Sequence, residues 1–211
     1  NSPVFGTVEE FLAWQPESKE KDSPKLRALQ IYQSLLGFHR GEAEGEAFLC
    51  INLERLRWAR GSAVGEVDTL FEKALRRFIA AHAESPVSSW ARAELGALLI
   101  SRKEAEKAHS VFAAGAAAFP EHSFGKLCTN KRKELEQPVL NLSTESQWTP
   151  AGEEIRVSHR NLKRVWFRAY PLEFDPGSLK SEPTPPLDKT LLEKMLKGKP
   201  LKAWDRKLPG D

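Results

Sequence analysis

The residues able to do chemistry are few and scattered. The chain has two cysteines, Cys50 and Cys128, and five histidines, His39, His82, His109, His122 and His159. Two isolated cysteines make neither a zinc site nor a disulfide framework. Cys50 lies in the apolar run Leu49-Cys50-Ile51 and Cys128 follows Leu127, so both read as small buried residues. A disulfide between them, or a reactive thiol, is the alternative. None of the histidines stands three or four residues from another, so none shares a helical face with a second ligand. They read as surface or helix-end positions. Glu104 and Glu106 fall on different sides of a helix, which suits solvation rather than acid–base work. No phosphate-binding glycine loop, no His-Glu-x-x-His and no Gly-x-Ser-x-Gly occurs. No catalytic, cofactor-binding or metal-ligating residue is therefore assigned, no cofactor is expected, and an enzyme finds no constellation to support it.

One cluster invites a binding role. Arg156, Arg160, Lys163, Arg164 and Arg168 surround Trp166 and Phe167. Cations and aromatic rings in such a mix can pair phosphates and stack bases. The competing reading is a strand whose polar residues face water. The second is preferred, because Glu153, Glu154 and Glu173 dilute the local field. Nucleic acid is not expected as a partner.

The bulk numbers agree with that modest inventory. The 211 residues, 40% apolar and 29% charged, suffice for one good-sized domain or two small ones. A net charge of +3, from 32 basic and 29 acidic side chains, argues neither for nor against a polyanion. No stretch approaches the roughly 18 apolar residues that would span a bilayer. Asn1 to Gly6 lack a charged start, an apolar run and a cleavage site, so no signal peptide is read, and a start without Met reads as a mature or excised segment.

The elements that must position these residues are mostly helical. Thr7-Val8-Glu9-Glu10 reads as a capping box opening a short helix with Phe11, Leu12 and Trp14 on its apolar side. Gln15-Pro16 stops it, and Glu17 to Asp22 reads as charged loop. Ser23-Pro24 opens a helix with a stripe of Leu29, Ile31, Tyr32, Leu35 and Leu36, ended by Gly37 and Gly41. Ala47, Phe48, Ile51 and Leu56 mark the next, closing at Gly61. Val67, Leu70, Phe71, Ala74, Leu75 and Phe78 mark a third that ends near Ser85-Pro86. A fourth follows Ser88 and carries Trp90, Ala93, Leu95, Leu98 and Leu99. A fifth runs from about Lys103 to Phe119, and a sixth from Gly125 to Glu136, before Pro138. Short links between such helices imply antiparallel neighbours.

The fourth and fifth segments resemble a tetratricopeptide unit. Leu95-Gly96, Leu99, Ala108, Phe112 and Pro120 stand at the spacings of that repeat, with small residues where two helices cross and a bulky ring beside them. Arg92 departs from the usual Trp and Gly115 from a usual Ala.

After Pro138 the period changes to two. Val139 to Ser143 leans to strand, and Thr149-Pro150-Ala151-Gly152 is a turn cluster. Ile155, Val157 and His159, then Val165, Phe167 and Ala169, alternate as strands do. Asp175 to Pro186 is rich in Pro, Ser and charge. Leu187 to Lys197 reads as a short helix with Leu191, Leu192, Met195 and Leu196 apolar, ended by Gly198 and Pro200. Two or three strands cannot bury a β-domain core. The β part is thus incomplete or borrows surface from the helices.

Several stretches in order resemble the N-terminal region of large bacterial alpha-2-macroglobulin-like proteins. They are Phe11 to Gln15, Ala28 to His39, the helical pair ending in Phe119-Pro120, and Gly125 to Asn130. Val157 to Arg168 is similar to the family's Tyr-Arg-Asn-Val … Tyr-Phe-Arg signature in its first macroglobulin-like β-sandwich, with His159 in place of Tyr and Trp166 at another aromatic place. Leu201 to Pro209, with Trp204, is similar to the strand after the family's variable insertion. The resemblance implies an α+β, mainly α chain: tetratricopeptide-like stacked helical hairpins over 1–137, then a partial macroglobulin-like β-sandwich over 138–211 with a Pro-rich insertion and short helix. It implies a non-catalytic interaction module of a protease-inhibitor-type protein in the periplasm, cell envelope or secreted fraction. Its partners would be downstream macroglobulin-like domains or an envelope protein, with no small-molecule substrate. The family's thioester needs a Cys-Gly-Glu-Gln run, which neither Cys50 nor Cys128 occupies, and its bait region is not found here. A free-standing tetratricopeptide-type adaptor for a peptide or protein is the alternative.

Overall fold

The structure, a computed structural model, describes residues 2–18, 22–42, 45–143, 155–171 and 189–209. It is α+β and mainly α. The contacts divide the chain into two compact units, Asn1–Glu136 and Gln137–Asp211.

The first unit holds seven helices among the described residues: α1 (Val8–Ala13), α2 (Pro24–Phe38), α3 (Glu46–Ser62), α4 (Val67–Ala81), α5 (Val87–Ser101), α6 (Ala105–Ala118) and α7 (Ser123–Glu136). Thr7 caps α1 through a reciprocal box, its hydroxyl accepting from the Glu10 amide while Glu10 accepts from the Thr7 amide. Links of three to five residues join α3 through α7, and each helix packs on the next. The core is one main seam, with a second small cluster of Ala93, Ala116 and Cys128 among α5, α6 and α7. It includes Phe11, Leu36, Leu49, Leu53, Phe71, Leu75, Leu98 and Phe112, each with no accessible surface. The α4 helix shows why the pattern works, since Phe71, Ala74, Leu75 and Phe78 recur on one face and all are buried.

Three boundaries and one face differ from the sequence reading. Helix α2 runs through Gly37 to Phe38, and a 3-10 turn, His39–Glu42, follows it. Helix α3 likewise runs through Gly61 to Ser62. One glycine weakens a helix by about 1 kcal/mol, too little to end it where the flanking turns are sound. Of the apolar residues on α2, Leu36 is buried, while Ile31, Leu35 and Phe38 are exposed, Phe38 by 82%. Helix α5 begins at Val87 rather than after Ser88, with Pro86 preceding it.

Among its described residues the second unit contains two separate two-stranded antiparallel sheets. β1 (Val139–Ser143) pairs with β2 (Arg156–Arg160), Val139 opposite Arg160. β3 (Arg164–Ala169) pairs with β4 (Lys202–Lys207), Arg164 opposite Lys207. Helix α8 (Lys189–Lys197) lies between β3 and β4 in sequence. The turn cluster at 149–152 and the Pro-rich stretch at 175–186 lie outside the described residues, as does Leu187. Asn161, just after β2, takes a left-handed backbone with φ 56°, and its amide donates to the Gln137 carbonyl at 3.1 Å. Asn tolerates that region far better than a branched residue.

Candidate interaction surface

The α5–α7 stack is built on glycines that have no room for a side chain. A Cβ on Gly96 would stand 2.2 Å from Cε1 of Phe112, whose ring is fully buried. One on Gly115 would stand 2.5 Å from the Cys128 sulfur, and one on Gly125 would meet the Phe119 carbonyl oxygen at 1.8 Å. Small residues thus set the approach of α5 to α6 and of α6 to α7. Leu95, Leu99 and Ala108 are buried around the first crossing. The Ser89 hydroxyl donates to the Gly115 carbonyl at 2.8 Å, and the Cys128 thiol donates to the Ser89 carbonyl at 3.1 Å. Arg92 donates to the Ser88 hydroxyl at 2.7 Å, and burial lowers its guanidinium. The aromatic mass lies two residues earlier. Trp90 stacks on Phe124 with centroids 5.2 Å apart, and Arg57 lies over the Trp90 ring while pairing with Glu94 at 2.9 Å. Between α4, α5 and α6 runs an open groove of about 360 Å³ lined by Arg76, Ile79, Arg92, Leu95 and Val111 among others.

Sequence reasoning missed Arg55. It is the largest fully buried side chain of the described residues, and its hydrogen bonds go to neutral oxygens: Gly6 carbonyl at 3.0 Å, Thr7 carbonyl at 3.4 Å and Asn52 Oδ1 at 2.7 Å. Its guanidinium sits 4.6 Å from the Phe11 ring centre. Arg77 donates to the Phe5 carbonyl at 2.7 Å. Three successive carbonyls, of residues 5, 6 and 7, are therefore held by two arginines from α3 and α4. Burial, with Arg77 repulsion added, pulls the Arg55 guanidinium down to about 9. The available signal was phase. Phe48, Asn52, Arg55 and Ala59 share one face of α3, so Arg55 stands among core positions.

The residues singled out for chemistry are dispersed. Both thiols are free; Cys128 is buried, as expected, but Cys50 is only half-buried because its side of α3 is incompletely covered. Burial pushes the Cys128 thiol up to about 11 and raises Cys50 as well. His39 and His82 sit at the ends of α2 and α4, and His122 precedes α7, its Nδ1 accepting from the Phe124 amide. His109 lies within α6, 2.8 Å from Glu136, and His159 is in β2. Glu104 precedes α6 and pairs with Lys107, while Glu106 is in the first turn of α6. Among the described residues no group of three or more His, Cys, Asp or Glu side chains could hold a metal.

The basic cluster is divided by the pleat and by the sheets. Arg164, Trp166 and Arg168 alternate onto one face of β3, and Phe167 lies on the other, stacked on Trp204 with centroids 5.2 Å apart. Arg156 and Arg160 belong to the β1–β2 sheet. Arg164 pairs with Asp205 at 3.3 Å. Trp166 is 68% exposed. The three glutamates expected to dilute the cluster, at 153, 154 and 173, lie outside the described residues.

Among the described residues no helix is long and apolar enough to cross a membrane. Compared with protein-family models, with curated proteins and with solved structures, the chain matches none of them.

Proposed function

We propose that this chain is a non-catalytic interaction module from the N-terminal region of a bacterial alpha-2-macroglobulin-like envelope protein. Its helices would be tetratricopeptide-like hairpins, and its β segment the opening of a macroglobulin-like sandwich. The observation that carries the reading is that the described residues of the second unit form only two-stranded sheets and leave large apolar side chains exposed. Two strands per sheet are marginal in water, and Leu140, Leu142, Leu196 and Leu201 remain exposed there, Leu201 by 75%. Leu140 and Leu142 share a face with Val157 of the paired strand, so that face needs a further layer. The Gly96–Phe112 crossing and the left-handed Asn161 within the signature stretch support the same reading.

The coding sequence beyond residue 211 tests it. Further β-sandwich repeats, and protection of β1–β4 amides from exchange when those repeats are joined to the chain, are the expected results. A parent without such repeats sinks the family assignment. The second reading, a free-standing peptide adaptor, draws on the α4–α6 groove, where apolar side chains accompany Arg76 and Arg92. It would require peptide capture that Ile79→Glu or Val111→Glu abolishes.

A further inference from the structure

The two faces of the β3–β4 ribbon differ. On one, Val165 is buried and Phe167 stacks on Trp204. The other carries Arg164, Trp166 and Arg168 from β3, with Lys207, Asp205 and Ala203 directly opposite them on β4, and all six are exposed. Trp and Arg are the side chains that most often anchor protein interfaces. Arg164 stands opposite Lys207, and like charges so placed repel. Arg164 engages Asp205 at 3.3 Å on the diagonal, and its guanidinium lies 6.0 Å from the Trp166 ring centre. The ring is thus steadied before a partner arrives, which lowers the cost of binding. Among the described residues Lys207 and Arg168 have no ion-pair partner. Glu193 on α8 is the other acidic residue described in this unit, and it pairs with neither. Among the described residues of this face, three cations share one carboxylate, which Arg164 already holds.

We propose that this face docks an extended, acidic segment of a partner protein, with two carboxylates four residues apart and an apolar side chain midway between them. Lys207 and Arg168 stand at the two ends of the face, four strand positions and about 13 Å apart, with Trp166 between them. In an extended chain the side chains at i, i+2 and i+4 share one face, and the outer two are also about 13 Å apart. One carboxylate then meets Lys207, the other meets the fork of Arg168, and the middle side chain lies on the Trp166 ring. Asp205 decides against a polyanion. Its carboxylate stands directly across from Trp166, where a stacked base would bring its phosphates and a membrane its headgroups. An uncharged side chain at that point leaves Asp205 paired with Arg164. The surface is independent of the family reading, since each of its residues lies in the ribbon itself.

The probe is a rhodamine-labelled peptide, Thr-Glu-Thr-Leu-Thr-Glu-Thr, titrated at low salt into the full 211-residue chain and read by anisotropy. It is expected to bind saturably and to weaken as salt is raised. A peptide with both Glu replaced by Gln, and an isomer with the two Glu adjacent, should each bind at least about tenfold more weakly. Trp166→Ala and Arg168→Glu, both at exposed positions, should each cost about tenfold or more. Arg206→Glu makes the same charge change on the opposite face of the ribbon and should leave the affinity within about twofold. Glu173→Gln/Asp175→Asn removes the acidic residues that follow β3 in sequence and should likewise change little. No saturable binding, equal binding of the adjacent-Glu isomer, or an equal loss in Arg206→Glu overturns the proposal. So does a tenfold gain in Glu173→Gln/Asp175→Asn, which would give the face to the chain's own acidic segment. Tighter binding of oligothymidylate or of phosphatidylglycerol vesicles through Trp166 and Arg168 overturns it as well.

Discussion

Replacing Gly96 by Ala tests the α5–α6 crossing directly. In an open helix that change stabilises by about 1 kcal/mol, because Gly loses more backbone freedom on folding. Here the added methyl would stand 2.2 Å from Cε1, 2.5 Å from Cζ and 2.8 Å from Cδ1 of Phe112. The ring has no accessible surface, so it has nowhere to retreat without moving its neighbours. Overpacking of this kind costs about 1–3 kcal/mol, and three sub-van der Waals contacts to a locked ring place the change at the upper end. The net expectation is a loss of about 2 kcal/mol, after subtracting the propensity gain. Gly37→Ala is the internal control, because nothing lies within 4 Å of its Cβ position; it should gain up to about 1 kcal/mol. Phe112→Leu removes the ring atoms that clash. The double variant Gly96→Ala/Phe112→Leu should recover part of the loss, with a coupling of about 1–2 kcal/mol. Urea unfolding followed by far-ultraviolet circular dichroism, at constant slope, reads all four. If Gly96→Ala and Gly37→Ala shift the midpoint in the same stabilising direction, the close crossing is wrong.

Arg55→Ala should destabilise by about 3 kcal/mol or more, since it strands the Gly6 and Thr7 carbonyls and empties the space beside Phe11; a loss below about 1 kcal/mol by urea titration would refute the clamp. Glu72 is held low by hydrogen bonds from Arg76 and Arg102, so its contribution is present above its unfolded value of about 4.5 and fades as pH falls through the lower folded value. Glu72→Gln should therefore remove part of the stability difference between pH 7 and pH 3, and an unaltered pH profile would count against that ion pair. Timed alkylation at pH 8 with mass spectrometry should modify half-buried Cys50 first and reach Cys128 only on unfolding, given its burial and a thiol pushed up to about 11. Asn161→Gly should be tolerated, while Asn161→Val should lower the thermal midpoint through about 1–2 kcal/mol of left-handed strain; equal midpoints would show that the turn relaxes.

The helices were legible because period and punctuation agree. On α4 the apolar residues fall on one face and the structure buries that face, and Thr7 with Glu10 closes the box that their spacing implies. Gly96 and Phe112 meet because a missing Cβ and a ring at the matching helical position leave one compact solution. Helix ends at Gly37 and Gly61 were misread because glycine's weakness is smaller than the packing around it. The Arg55 clamp was illegible for a different reason. A charge on a core-facing position reads as noise until the carbonyls it serves, 48 and 49 residues away, are placed beside it. The basic cluster was legible in composition but not in geometry, because alternation along β3 sends Trp166 and Phe167 to opposite faces. The exposed Ile31, Leu35 and Phe38 show the limit of periodicity, which marks an apolar stripe without saying what covers it.

The grip of Arg77 on Phe5 spans 72 residues, and the grip of Arg55 on Gly6 spans 49. Those bonds fasten the leading segment across α3 and α4, whereas α6 and α7 meet chiefly the helices nearest them in sequence. The helical unit therefore has unequal cooperativity along its length. Its front portion is joined by side-chain bonds that skip over intervening helices, and its rear packs neighbour on neighbour, with α7 held against both α5 and α6. Tension applied at residue 2 would therefore load the bonds from Arg55 and Arg77 to carbonyls 5, 6 and 7 first.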